Sequence, residues 1–158
     1  MGFVVSLPQL LAEVETLRQA GKKIVTTNGC FDLLHIGHLR YLQAAKALGD
    51  VLIVAVNADA SVRGLKGDLR PVVSEADRAE LIAGLACVDF AIIFRGETPI
   101  PELQAIKPNV HVKGGQYTVE TLPEAPVLQS IGCEIAFIEM VDNRSTSQLI
   151  EKIIRAYS

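Results

Sequence analysis

Residues 51–57 read VLIVAVN, six apolar side chains in succession with no polar residue between them. A strand wetted on one face alternates apolar and polar positions. An unbroken β-branched run therefore marks a strand covered on both faces, as in a parallel sheet. Four other segments have strand character: KKIVTT at 22–27, DFAIIF at 89–94, NVHVK at 109–113 and CEIAFIE at 133–139. Between them the apolar spacing becomes helical. Ser6 and Gln9 make a capping-box pattern ahead of Leu7, Leu10, Leu11, Val14 and Leu17, and Gly21 offers a left-handed stop. Leu39, Leu42, Ala45 and Leu48 outline a second helix ending at Gly49, and Ser74 precedes a third whose inward face holds Ala79, Leu81, Ile82 and Leu85. A short helix over Pro101–Ile106 and a last one carrying Leu149, Ile150, Ile153 and Ile154 on its apolar side complete the pattern. Residues 58–73 read as a polar loop, and a proline-interrupted stretch precedes CEIAFIE. This alternation predicts a Rossmann-like α/β fold, a doubly wound five-stranded parallel sheet with helices on both faces. Ligands of such sheets bind beyond the carboxyl ends of the strands.

At 158 residues the chain is expected to form one domain, with a leading helix over 1–21 and a core over 22–158. With 49% hydrophobic and 21% charged residues, burial can offset the entropy of ordering the chain, which excludes a disordered or low-complexity protein. The net charge of −3 and the scattering of 15 basic residues argue against a nucleic-acid binder. No run approaches the roughly 20 apolar residues of a membrane span, and the start has no basic head or cleavage-like site, so a cytoplasmic location is expected. Cys30, Cys87 and Cys133 are odd in number and widely spaced, which disfavours a disulfide framework or a zinc site and suits a reducing compartment.

Two of the three histidines, His35 and His38, stand three positions apart with Gly37 between, where the first strand and loop pass into a helix. On the first turn of a helix both rings can point the same way, and a glycine leaves the backbone open to close approach. The helix start adds free N–H groups and the positive end of the dipole. These features favour a phosphate. Zinc would need further ligands, and His111 lies inside a predicted strand with no Cys or carboxylate cluster beside it. No G-x-S-x-G elbow is present, and neither G-x-G-x-x-G nor G-x-x-x-x-G-K-[ST] occurs.

TNGCFDLLHIGHLRYLQAAKALGD at 27–50 resembles the nucleotidyltransferase superfamily that carries G-x-F-D and H-x-G-H signatures. VNADASVRGLKGDLRPV, RAELIAGLACVDF, VKGGQYT and STSQLIEKI follow in that family's order, so the likeness runs over nearly the whole chain from Ile24. It is most similar to the adenylyltransferase part of bifunctional ADP-heptose synthases, with glycerol-3-phosphate and phosphocholine cytidylyltransferases more distant. The resemblance implies attack by a sugar phosphate oxygen on the α-phosphorus of ATP, with pyrophosphate expelled, Mg2+ accompanying the ATP, and a homodimer. Transfer of cytidylate to a small polyol phosphate, or a nucleotide-binding regulatory domain without chemistry, are the alternatives.

In that family His35 and His38 would contact the triphosphate and steady the five-coordinate phosphorus, and Lys66 would bridge the phosphates of both substrates. Its other reading is a solvated loop lysine. Thr27, Asn28, Gly29 and Phe31 would wall the nucleotide. Lys113, Gly114 and Gly115 would meet its base or sugar, unless VKGG is a plain turn. Ser145 and Thr146 would reach the triphosphate or simply cap the last helix. By resemblance Asp32, Asp59, Lys66 and Arg78 would bind substrate, Asp32 completing the wall beside the nucleotide, Asp59 near the acceptor or metal side and Arg78 on the phosphate side, with helix capping the alternative for Asp32 and an exposed first-turn position that for Arg78. Three departures stand out. MVDNRST replaces the R-x-E-G-I-S-T of cytidylyltransferases, with Met140 in the first place and Arg144 at the isoleucine. Gln116 stands where many heptose enzymes have Asp, and TVETLPEAP has two prolines in a stretch usually more helical.

Overall fold

The computed structural model describes residues 1–139 and 145–158, and the Met140 and Arg144 departures lie outside the described residues. The order is β1 (Phe3–Val4), α1 (Leu7–Gln19), β2 (Ile24–Gly29), α2 (Ile36–Lys46), β3 (Val51–Asn57), α3 (Asp59–Lys66), α4 (Glu75–Ala83), β4 (Phe90–Phe94), α5 (Ile100–Ile106), β5 (Val110–Gly114), α6 (Ala125–Ser130), β6 (Glu134–Ile138) and α7 (Thr146–Tyr157). The strands form one sheet in the order β1-β4-β3-β2-β5-β6, every pairing parallel. It is an α/β sheet flanked by helices, with six strands where five were predicted.

The added strand, β1, is only two residues long and has no period to read. Its backbone pairs with β4, Phe3 N donating to Asp89 O and Val5 N to Ala91 O, while Phe3 and Val4 stay exposed. The capping box at α1 is present in both directions, and Gly21 follows the helix at φ +72°. Two helices occupy segments read as irregular. α3 begins at Asp59 after Ala58, which provides no side-chain cap, and α6 follows Glu124 with a proline in its first turn. Leu81, placed on the inward face of α4, is instead about half exposed at 51%, and α4 packs through Ala79 and Ile82. On α7, Ile153 and Ile154 are also exposed.

β3 is buried at all seven positions. Leu52, Val54 and Val56 pack toward Leu42 of α2 and Ile82 of α4, and Val51, Ile53 and Ala55 toward Leu10 and Val14 of α1. Each fully buried aliphatic side chain contributes about 1.5–3 kcal/mol, so β3 anchors both layers. β2 is joined to β3 from Ile24↔Val51 to Gly29↔Val56, and to β5 through Thr26↔His111. The chain leaves β2 for β3 on one side, and β5 arrives later on the other. The crevice at the carboxyl ends of β2 and β5 is therefore the topological switch point where sheets of this kind hold ligands. No helix among the described residues is long and apolar enough to cross a membrane.

Candidate functional site

The paired histidines sit at that switch point. After Gly29 the chain turns through Phe31, which adopts a left-handed φ of +46°, and α2 begins with His35 as its N-cap. His35 Nδ1 accepts the N–H of Gly37 at 3.1 Å, so the proton of a neutral His35 ring lies on Nε2. The ring of His38 stacks on it, with centroids 3.8 Å apart and planes 25° from parallel. The edge of Phe31 meets His38 at 5.3 Å. Burial, with a smaller contribution from the charge of His35, lowers the His38 pKa to about 4. His38 Nδ1 is buried and has no hydrogen-bond partner among the described residues. The loop therefore presents two half-buried imidazoles at the first turn of a helix. A Cβ on Gly29 would lie 3.0 Å from the Phe31 ring, so glycine here leaves room for the aromatic ring that supports His38.

The acidic and basic residues around this loop hold it in place. Asp32, 2% exposed, accepts Arg70 Nε at 2.6 Å and the N–H groups of Val72 and Val73, each at 2.9 Å. Burial works to raise its pKa, but these donors prevail and lower it. Arg78 is wholly buried and donates to Val73 O at 2.9 Å, to Cys30 O, and to Asp59 Oδ1 at 2.9 Å. These positions rule out two alternative readings. Asp32 does not cap α2, because His35 does, and Arg78 is not an exposed first-turn residue. Asp32 and Arg78, predicted on the substrate side, spend their hydrogen-bonding groups within the protein, and Asp59 is the ion-pair partner of Arg78. Thr27 is fully buried, its hydroxyl engaged by Tyr41 Oη at 2.7 Å and Val112 O at 2.9 Å.

Lys66 closes the last turn of α3 and is exposed; it is a helical residue where a loop lysine was the alternative. Burial raises the Cys30 thiol pKa, while the charges of Lys66, Arg78 and Arg70 pull it back, which places these cations around residue 30. Across the crevice, Lys113 Nζ donates to Asn28 Oδ1 at 3.0 Å, lies 5.3 Å from the Tyr117 ring centroid, and stands 3.6 Å from Glu124. Gly114 ends β5 and Gly115 turns at φ +89°, a conformation few other residues tolerate. Ser145 caps α7 by accepting the N–H of Gln148 at 3.2 Å. Thr146 Oγ1 donates to Leu33 O at 3.3 Å, docking that helix start on the histidine loop. His111 is buried in β5, bonded to Thr26 at 2.8 Å. Sequence reasoning missed Tyr41, Arg70 and Glu124. Tyr41 had a signal, since it falls three residues after His38 on the same helix face.

The chain was compared with known proteins. The pattern of the cytidylyltransferase-like family matches residues 26–152. The bifunctional protein HldE of Geobacter metallireducens is 49% identical over 152 residues, covering 96% of this chain and 31% of that protein. HldE of Helicobacter pylori is 53% identical over 142 residues, covering 90% of this chain and 30% of that protein. The chain thus spans about a third of the length of these curated relatives. Among solved structures, a lipopolysaccharide core biosynthesis protein from Thermoplasma volcanium superposes with a TM-score of 0.64 at 29% identity, covering 78% of this chain and all of that one. The matched residues run from β2 through the histidine loop and the Lys113 crevice into α7, and the chain belongs to the cytidylyltransferase-like family of nucleotidyltransferases.

Proposed function

We propose that the chain transfers AMP from ATP to a sugar 1-phosphate, heptose 1-phosphate in particular, giving an ADP-sugar and pyrophosphate. The observation that carries this reading is the stacked His35–His38 pair at the start of α2, set at the switch point of the sheet. Its similarity to HldE proteins supports the choice of adenylate and heptose.

In the reaction an oxygen of the sugar phosphate forms a bond to the α-phosphorus as the bond to the bridging oxygen of pyrophosphate breaks. The attacking phosphate is already ionised, so the chain need not remove a proton from it. Its work is to place donors where negative charge gathers. A neutral His35 carries its proton on Nε2, its other nitrogen being held by Gly37. His38 is neutral in the free protein, so its ring is not repelled by its neighbour, and a triphosphate beside it would draw a proton onto it. Lys66 supplies a mobile point charge from the end of α3. Mg2+ is proposed to arrive on the triphosphate of ATP. Among the described residues no group of three or more His, Cys, Asp or Glu could hold an ion, and Asp32 and Asp59 are tied to arginines, so no step is assigned to a protein-bound metal. The homodimer and the cytoplasmic setting belong to the same proposal.

Pyrophosphate release from ATP and from CTP, each with heptose 1-phosphate and with glycerol 3-phosphate, tests it. The expected result is release with ATP and heptose 1-phosphate. Release with CTP alone would replace it by a cytidylyltransferase, and tight ATP binding without pyrophosphate from any acceptor by a regulatory domain.

A further inference from the structure

We propose that Glu124 is a positioning residue that holds the Lys113 ammonium as a fixed cation at the carboxyl ends of β2 and β5, beside Asn28, for the incoming nucleotide. The nucleotide part rests on the function proposed above; the hold of Glu124 on Lys113 stands on geometry alone.

Only 13% of the Lys113 side chain is exposed. An ammonium taken out of water to that extent requires a counter-charge, because hydrogen bonds to neutral groups do not replace its hydration. Among the described residues each group facing it can be checked. Asn28 Oδ1, from β2, accepts one proton at 3.0 Å but is uncharged. Tyr117, from the turn after β5, presents a π face 5.3 Å away. Cys30 is near enough to act on Lys113, but burial raises its pKa, so it remains a thiol. His111, two residues earlier on β5, has a pKa lowered to about 3 by burial and by Lys113 itself, and is neutral. Glu124 is left: its Oε1 stands 3.6 Å from Nζ, and the residue is 2% exposed. Burial lowers the Lys113 pKa, and Glu124 is the largest influence raising it back.

The backbone fixes this carboxylate. Glu124 lies between Pro123 and Pro126, with Leu122 and Ala125 buried on either side of it. Two prolines restrict φ around it, and two apolar anchors keep it from swinging to solvent. The unusual proline-rich stretch thereby delivers an acid to the crevice. At 3.6 Å the pair attracts through charge and is too long for a direct hydrogen bond. Glu124 Oε2 has no partner among the described residues. An ammonium carries three donors, and among the described residues its one hydrogen bond, to Asn28, leaves capacity for a nucleotide acceptor group.

The test compares wild type with Glu124→Gln, which keeps the shape and removes the charge, and with Glu124→Asp, which retains the charge should the glutamine variant not fold. The 13C shift of Lys113 Cε, assigned by its loss in Lys113→Arg, is followed against pH. The expected result is a titration midpoint about one unit or more lower in Glu124→Gln and a smaller drop in Glu124→Asp. A second arm measures pyrophosphate release from ATP. The KM for ATP should rise about tenfold in Glu124→Gln at alkaline pH, with kcat within about threefold, and Lys113→Arg in that background should abolish the pH dependence because arginine keeps its proton. An unchanged lysine midpoint in a folded Glu124→Gln or Glu124→Asp protein overturns the proposal. If wild type releases no pyrophosphate from ATP, the functional reading fails, and the NMR arm still decides the role of Glu124.

Discussion

Charge is handled in opposite ways on the two sides of the histidine loop. Beneath it, Arg70 meets Asp32 at 2.6 Å and Arg78 meets Asp59 at 2.9 Å, with the Asp32 and Arg78 side chains wholly buried. At its mouth, His35 and His38 stack at 3.8 Å, half-buried, and Lys66 is exposed at a helix end. The first group closes on itself, whereas in the second His38 Nδ1 is buried without a hydrogen-bond partner among the described residues. A sequence motif mixes both kinds without distinction. Asp32 and His35 stand three residues apart in adjoining signatures, yet one secures the loop 70–73 and the other caps α2 and stacks on His38.

The largest expected effect lies on the closed side. Arg78→Met removes donors to Val73 O and Cys30 O and leaves Asp59 without its cation. Breaking a buried pair by removing one partner costs about 3–5 kcal/mol. For a chain of this size the melting temperature should then fall by roughly 6–20 °C, read by calorimetry. A fall of a degree or two would show that the closed cluster is not what secures the loop.

On the open side the loss should appear in turnover, leaving the fold alone. His38→Ala removes a donor from the place where charge builds, and such losses run to about 10²–10³ in kcat, or roughly 2.7–4 kcal/mol. The KM for ATP should stay within about threefold and the melting temperature close to wild type. Unaltered turnover in a steady-state assay would move His38 to the closed class and dissolve the contrast.

The same division explains what could be read from sequence. β3 was legible because burial on both faces leaves an unbroken apolar run, and the histidine pair because its spacing and position sit within one short segment. α3 was not, since ADASVRGLK has a glycine inside and no capping side chain ahead of it. Tertiary contacts establish that helix, among them Arg78 on Asp59 and Glu75 on the Asp59 N–H at 2.7 Å. Tyr41 was missed for a related reason. Tyr41 Oη reaches Val112 O across 71 residues of sequence, and no local pattern records such a contact. Spacing identified which residues gather at the carboxyl ends of the strands. Whether each faces a ligand or the protein depends on partners that only the folded chain brings near.

The smallest expected effect concerns the two histidines whose pKa values are lowered, one on each side of the division. Burial sets both shifts, to about 4 for His38 and about 3 for His111, with the charges of His35 and Lys113 adding to them respectively. In the unfolded chain each titrates near pH 6.5. Below that value the unfolded state takes up protons that the native state refuses, so the free energy of unfolding is level above about pH 6.5 and declines as pH falls toward the folded values. The slope is at most about 1.4 kcal/mol per pH unit for each ring, and less for half-buried His38, where solvent screens the charge. Urea midpoints between about pH 7 and 4.5 should therefore decline less steeply in His38→Asn and in His111→Asn than in wild type. Saturating ATP separates the two. A triphosphate against His38 favours its charged form and removes that ring's share of the slope, while the share of His111, bonded to Thr26 inside the sheet at 2.8 Å, persists. A slope that ATP leaves untouched would place the His38 ring outside the nucleotide's reach, however well the pair is stacked.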